Sequence, residues 1–186
     1  PVDALRSARA FVNGDGELSE AEAASVASLE EVFRGNNSIT SFDELQYFTR
    51  LTGIEDNAFC YCKNLTSITM PNNIASIGNG SFRNCGSLTS VTIPYSVTSI
   101  GERAFSGCRS LTSIKVEEGN TAFDSRSNCN AIIEKRTKTL IAGCQNTIIP
   151  NDVTIIGKNA FEYCSGLTSI IIPSGVTNIV QNAFNQ

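Results

Sequence analysis

The sequence predicts a right-handed solenoid in which short β-strands stack into parallel sheets, joined by short helical or 3-10 turns, with a helical cap at the N-terminus. The motif Leu-Thr-Ser-Ile/Val recurs at residues 65, 88, 111 and 167, and a Phe followed three residues later by Cys recurs beside it. Phe59, Phe82 and Phe105 are 23 residues apart, as are Phe161 and Phe184. A fixed period of this length indicates units that bury their apolar faces only against one another.

Each unit contains two short strands and one turn. The first strand ends at a proline, which cannot donate to a strand ladder, and the second ends at a glycine, as in Val97-Thr-Ser-Ile-Gly101. The turn then contains the Phe, and the chain returns through the Cys. Because neighbouring strands lie about 4.8 Å apart, five to six such coils predict a rod on the order of 25 to 30 Å long.

Alternation along the first strand predicts a polar outer surface. In the second copy it places Val91 and Ile93 inward and Ser90 and Thr92 outward. We call the outward residues of all copies the strand face: Ser67, Thr69, Ser90, Thr92, Ser113, Lys115, Ser169 and Ile171. Two interpretations remain open, because these hydroxyls are either solvating groups suited to a strand or the floor of a binding surface.

The repeat is interrupted by an insert at about residues 117–147, since Phe105 and Phe161 are separated by 56 residues. Residues 130–134 and 139–142, joined by charged residues, predict a β-hairpin that replaces the Phe-containing turn of one coil. Insertions of this kind lie on one face of a solenoid and often serve recognition, but a neutral insertion is an equal alternative.

The composition excludes several functions. The chain has no His and a formal net charge of −4. Without imidazole, Ser-His-Asp and Cys-His nucleophiles are excluded, and we predict that the chain is not an enzyme. The charge has the wrong sign for a nucleic-acid partner. The longest apolar runs are too short to span a membrane, and we expect a monomer.

The repeated motifs resemble the BspA-like leucine-rich repeats, a 23-residue bacterial variety. The match is Leu-Thr-Ser-Ile/Val-x-Ile-Pro, Val-Thr-Ser-Ile-Gly and Ala-Phe-x-x-Cys over residues 51–186. The insert resembles the island inside such arrays. The resemblance implies a leucine-rich-repeat solenoid, exposed on a bacterial surface or secreted, that adheres to host or neighbouring-cell proteins or glycans. Any export signal lies outside these residues or does not exist. The array reaching Gln186 without an evident cap suggests a fragment of a longer protein or an end sealed by another segment.

Residues 1–50 do not follow the period and are predicted to form a helical cap. Part of this segment resembles a degenerate EF-hand or dockerin calcium loop with ligands Asn13, Asp15, Glu17 (through its carbonyl) and Glu22. Loop position 1 is Phe11, which has no side-chain oxygen. The alternative is a capping box, Ser19-x-x-Glu22, that starts a helix over residues 21–33.

Two further expectations concern the start of the array and the thiols. Phe42, Leu45 and Tyr47 align with Leu88, Val91 and Ile93, which predicts a degenerate first strand near Phe42. The cysteines at positions 62, 85, 108 and 164 share one repeat position and are expected to stack inside as reduced thiols. Cys60 has a variable position and is expected to be exposed and the most reactive thiol.

We therefore expect a non-enzymatic binding or adhesion module that recognises a protein or glycan through its strand face and insert. Two alternatives remain. The array is a structural spacer of a larger surface protein, or the first fifty residues form a calcium-stabilised interaction module.

Overall fold

The computed structural model describes residues 19–186, which form a β-solenoid of stacked coils. It begins with helix α1, Glu20–Ser25. The two 3-10 helices are Asp43–Tyr47 and Arg126–Asn128. The strands are β1 Ser41–Phe42, β2 Gly53–Ile54, β3 Ser67–Ile68, β4 Ser76–Ile77, β5 Ser90–Ile93, β6 Ser99–Ile100, β7 Ser113–Val116, β8 Phe123–Asp124, β9 Ala131–Glu134, β10 Thr139–Gly143, β11 Ile155–Ile156 and β12 Asn178–Ile179.

The strands of successive coils pair in parallel. β1 pairs with β3, and β5 pairs with β7, on the side formed by the first strand of each unit. β2, β4 and β6 form a second parallel sheet from the strands that end in glycine. The insert changes the pattern, because β8, β9 and β10 are antiparallel while β10, β11 and β12 are parallel. The parallel solenoid predicted from the repeat is therefore confirmed.

A stack of phenylalanine rings runs through the core. The rings of Phe59 and Phe82 have centroids 5.3 Å apart and planes 4° apart. Phe82 and Phe105 repeat this arrangement at 5.4 Å and 3°, and Phe161 and Phe184 at 5.1 Å and 3°. The turns that hold these rings have 3-10 hydrogen bonds, such as that from the Cys62 amide to the Phe59 carbonyl. Within the described residues, the stack does not continue from Phe105 to Phe161.

The helix that follows Ser19 is shorter than predicted. The capping box forms, since the Ser19 amide donates to Glu22 Oε2 at 3.0 Å and the Glu22 amide donates to Ser19 Oγ at 3.3 Å. The helix ends at Ser25, however, so the prediction of a helix to residue 33 is wrong. Ala23 and Val26 pack on the core of the first coil, and Leu29 continues it as a fully buried residue.

The register of the first strand also differs from the prediction. A strand forms at Phe42, and Phe42 pairs with Ile68 of the next coil. The Thr89 amide donates to the Thr66 carbonyl, so Ile68 is in turn equivalent to Val91. Phe42 therefore aligns with Val91 and not with Leu88. Residues 43–47 turn into a 3-10 helix, so they do not continue the strand. Leu45 is buried as part of that helix.

Candidate functional site

The strand face forms as predicted over three coils. In β5, Ser90 and Thr92 are exposed while Val91 and Ile93 are buried, and the burial pattern of β7 is the same. Ser90 lies beside Ser113 and Thr92 beside Lys115 in the paired strands. Parallel pairing thus aligns the outward side chains in two columns that run across the coils. Ser67 and Thr69 are exposed in the preceding coil and extend both columns.

The threonines that precede each strand have a separate role. The hydroxyl of Thr112 donates to the Thr89 carbonyl at 3.3 Å, and that of Thr89 donates to the Thr66 carbonyl at the same distance. These hydroxyls join successive coils. Among residues 19–186, by contrast, Ser90, Thr92 and Ser113 have no hydrogen-bond partner for their hydroxyls. Thr69 differs, because its hydroxyl donates to Asp43 Oδ1 at 3.1 Å. The strand face therefore presents unpartnered hydroxyls on β5 and β7.

The strand face becomes apolar toward the C-terminal end. Ser169 and Ile171 are exposed as predicted, but they lie in a segment with no assigned strand. Ile171 is 86% exposed and Ile148 is 73% exposed. Each lies two residues before a proline of the repeat motif, as Thr92 does. Ile148 was missed in the sequence because the insert obscures the period, although Ile149-Pro150 marks its position.

The insert forms the predicted hairpin. β9 and β10 are antiparallel, with Leu140 opposite Ile133 and an irregularity before Ala142. Its tip, residues 135–138, has exposed basic side chains at Lys135, Arg136 and Lys138. Lys135 is held by a hydrogen bond from its Nζ to the Asn120 carbonyl. The hairpin also pairs with β8 and β11, so it is continuous with the sheet and presents positive charge at its tip.

The candidate metal ligands fall mostly outside the described residues, since Asn13, Asp15 and Glu17 precede Ser19. Glu22 is buried, and its Oε2 accepts hydrogen bonds from both the amide and the hydroxyl of Ser19. This carboxylate therefore serves the capping box. Within residues 19–186, no group of three or more acidic or cysteine side chains is arranged to hold a metal ion.

The cysteines are all buried. Cys62, Cys85 and Cys108 form the predicted inward stack, and each Sγ donates to a Phe carbonyl one coil earlier, at 2.9 to 3.1 Å. Burial raises the pKa of the Cys62 and Cys108 thiols to about 12 and that of Cys164 to about 11. These values describe protonated, unreactive core thiols.

The prediction that Cys60 is exposed is wrong, because its side chain is only 2% exposed. Its carbonyl accepts from the Gly35 amide at 2.7 Å, so the preceding coil covers it. Burial raises the pKa of this thiol. The sequence suggests exposure because other repeats have Arg, Ser and Glu at the position of Cys60. Ser106 and Glu162, however, are also buried and bond to each other at 2.8 Å.

The family follows from these repeats. The profile of the BspA type leucine rich repeat region matches six copies, over residues 29–140 and 141–186. The chain therefore belongs to the BspA-type leucine-rich repeat family. No curated protein matches the chain significantly. In the part of the chain that the structure describes, no helix is long and apolar enough to cross a membrane.

Several solved structures are similar to this one, including the following two. A leucine rich cell surface protein from Faecalibacterium prausnitzii is 27% identical, with a TM-score of 0.58 over 75% of this chain and 40% of that protein. The pneumococcal vaccine antigen PcpA is 24% identical, with a TM-score of 0.62 over 73% of this chain and 35% of that one. The second shows the fold alone. This chain thus matches less than half the length of either protein.

Proposed function

We propose that this solenoid is a non-enzymatic binding module, secreted or on a bacterial cell surface, that adheres to a host or neighbouring-cell protein or glycan through its strand face and insert. The observation that supports this proposal is the pair of outward columns on β5 and β7. Their hydroxyls are exposed, aligned between coils and free of partners within residues 19–186. Hydroxyl and amine groups at fixed spacing suit polar recognition of sugar hydroxyls or backbone amides.

Rigidity and apolar contact add to this proposal. The face is backed by fully buried Leu88 and Ile93, so binding orders few side chains and loses little conformational entropy. Ile148 and Ile171 supply exposed apolar area beside the polar columns. Binding surfaces commonly combine an apolar contact with flanking hydrogen-bonding groups. The extracellular location is supported by the similar Faecalibacterium protein, which is described as a cell surface protein.

The test is a screen of immobilised matrix proteins and glycans with three matched proteins. The first is the wild type, and the second is the strand-face variant Ser90→Arg/Thr92→Arg. The control variant Ser99→Arg/Gln181→Arg adds the same charge at exposed positions outside the strand face. Melting temperatures confirm that all three are folded.

Binding by the wild type and the control, with at least tenfold weaker binding by the strand-face variant, is the expected result. Equal signals from all three proteins for every ligand would refute recognition by this face. In that case the spacer alternative is tested by replacing the array with another solenoid of equal length in the parent protein.

A further inference from the structure

The coil interface at the insert differs from the regular ones in its backbone hydrogen bonds. In the regular interfaces, each Phe amide donates to a carbonyl of the next coil. Phe59 donates to Ser81, Phe82 to Ala104 and Phe161 to Ala183, at 2.7 to 2.9 Å. The left-handed residue two positions before each Phe also donates across the interface. Examples are Asn57 to Asn79 and Gly80 to Glu102, both at 2.9 Å.

At the insert, the hairpin takes over part of this pattern. The Gly143 amide, at the end of β10, donates to the Ala160 carbonyl at 2.9 Å. In a regular interface this carbonyl would accept from the Phe105 amide. A Cβ on Gly143 would lie 2.1 Å from Cε1 of Phe161, so the strand presses directly on that ring. Phe105 and Phe161 are therefore separated. The backbones of the two turns are hydrogen-bonded again at Gly107, whose amide donates to the Glu162 carbonyl at 3.1 Å.

This separation leaves backbone groups without partners. Among residues 19–186, the amides of Arg103 and Phe105 donate to no backbone carbonyl, and the Lys158 carbonyl accepts from no backbone amide. The Asn159 side chain is also unpartnered at both Nδ2 and Oδ1, although the residue is only 5% exposed. A buried polar group without a hydrogen-bond partner is unfavourable by about 1–3 kcal/mol. A bound molecule that supplies the missing hydrogen bonds would therefore be favoured.

These groups lie around one cleft, which we call the junction cleft. It has a volume of about 200 Å³ and lies between residues 100–108 and 157–164, with Ile141 and Ala142 of β10 on its third side. Two ion pairs cross between the coils with opposite polarity. Glu102 pairs with Lys158 at 2.8 Å, and Arg103 pairs with Glu162 at 3.0 Å. The charges at the cleft therefore cancel, which favours a neutral occupant over an anion or a cation.

We propose that the junction cleft binds a neutral peptide-type amide, such as one backbone unit of a short peptide segment. A single amide offers a carbonyl to the free amides of Arg103 and Phe105 and an N–H to the free Lys158 carbonyl or Asn159 Oδ1. The volume is below the roughly 300–1,000 Å³ of pockets for drug-sized molecules, so the cleft accommodates one residue of such a segment. The apolar side formed by Ile141 and Ala142 suits a small methyl group on the ligand.

The probe is N-acetyl-L-alanine N-methylamide, titrated into ¹⁵N-labelled protein and followed by NMR. For a ligand this small the expected dissociation constant is on the order of 1–10 mM. The control probe is the methyl ester of O-acetyl-L-lactic acid, which has the same shape and carbonyls but no N–H donor. The expected result is saturable shifts of the Arg103 and Phe105 amides and of the Asn159 side chain, with the ester at least fivefold weaker.

Three variants locate the binding. Ala142→Phe fills the cleft and should abolish the shifts. Asn159→Gly removes the carboxamide while glycine suits the positive φ of 60°, and it should weaken binding severalfold. Asn182→Gly is the matched control, since it has the same φ in the next coil and does not border the cleft. It should bind as the wild type does.

The proposal is overturned if the cleft amides do not shift, in which case water alone occupies the cleft. It is also overturned if the ester binds as well as the amide, or if Asn159→Gly leaves the affinity unchanged. Should Ala142→Phe fail to fold, the comparison of Asn159→Gly with Asn182→Gly decides the question. The outcome is independent of the strand face, which lies on other strands.

Discussion

Truncation of Phe82 to Ala is expected to cause a large loss of stability, because its ring is the middle member of the phenylalanine stack. The side chain is fully buried, and its ring stacks on Phe59 and Phe105 at once. Removal of a buried Phe side chain costs about 3–5 kcal/mol. Each aromatic pair is worth about 0.5–1.5 kcal/mol beyond area burial, so the loss of two pairs places the expected cost at the upper end of this range, about 4–5 kcal/mol.

Phe184 provides the matched control for this prediction. Its ring stacks only on Phe161, at 5.1 Å, and the residue is half-buried rather than buried. Phe184→Ala therefore loses one ring contact and part of the burial, with an expected cost of about 1–3 kcal/mol. The two variants therefore differ in the number of stacked neighbours and in the burial that the ring loses.

Urea unfolding followed by circular dichroism measures both costs as changes in the free energy of unfolding. Phe82→Ala should lower it by at least about 2 kcal/mol more than Phe184→Ala. Equal losses in the two variants, or a loss below about 2 kcal/mol for Phe82→Ala, would refute a continuous stack as the main source of core stability.

The remaining predictions concern pH, the junction and the cap. Burial raises the thiol pKa values, so the folded state keeps these thiols protonated at pH values where the unfolded chain ionises them. The resulting contribution to the free energy of unfolding is complete below about pH 9 and declines as the pH rises toward 12. The loss is about 1.4 kcal/mol per thiol per pH unit. Burial also raises the pKa of the Cys85 thiol, so Cys85→Ala should make the melting temperature fall less steeply above about pH 9. Gly143→Ala places a methyl group against an aromatic ring and should destabilise by about 1–3 kcal/mol in thermal unfolding, whereas Gly86→Ala, with open space around it, should be close to neutral. Calorimetry of Ca²⁺ with chelator-stripped protein should show no saturable heat if the N-terminal segment is a capped helix, and heat that is lost in Asp15→Ala would support the calcium-stabilised alternative.

The regular part of the fold could be predicted from the sequence because each coil repeats the same contacts. Alternation and the 23-residue period place Ser90 beside Ser113 and bury Val91, as the structure shows. The position of Cys85 in the core follows from the same period. In a repeat protein, one correctly assigned unit therefore determines the environment of its equivalents.

The parts that could not be predicted depend on contacts between unlike residues. Polar residues at the position of Cys60 in other coils suggest exposure, yet Ser106 and Glu162 bond to each other across the coils and are buried. The irregular spacing at the insert indicates a hairpin, but it does not show that Gly143 takes over the bond expected for Phe105. Such substitutions of one hydrogen-bond partner by another leave no periodic signal in a single sequence.

Adhesion through the strand face is tested by binding to whole cells. Fluorescently labelled wild type, Ser90→Arg/Thr92→Arg and Ser99→Arg/Gln181→Arg are incubated with host epithelial cells and with neighbouring bacteria, and bound protein is measured by flow cytometry. We predict saturable binding of the wild type and of the second double variant to at least one cell type, and loss of binding for the first. Indistinguishable signals from all three proteins on every cell type would contradict adhesion through the strand face.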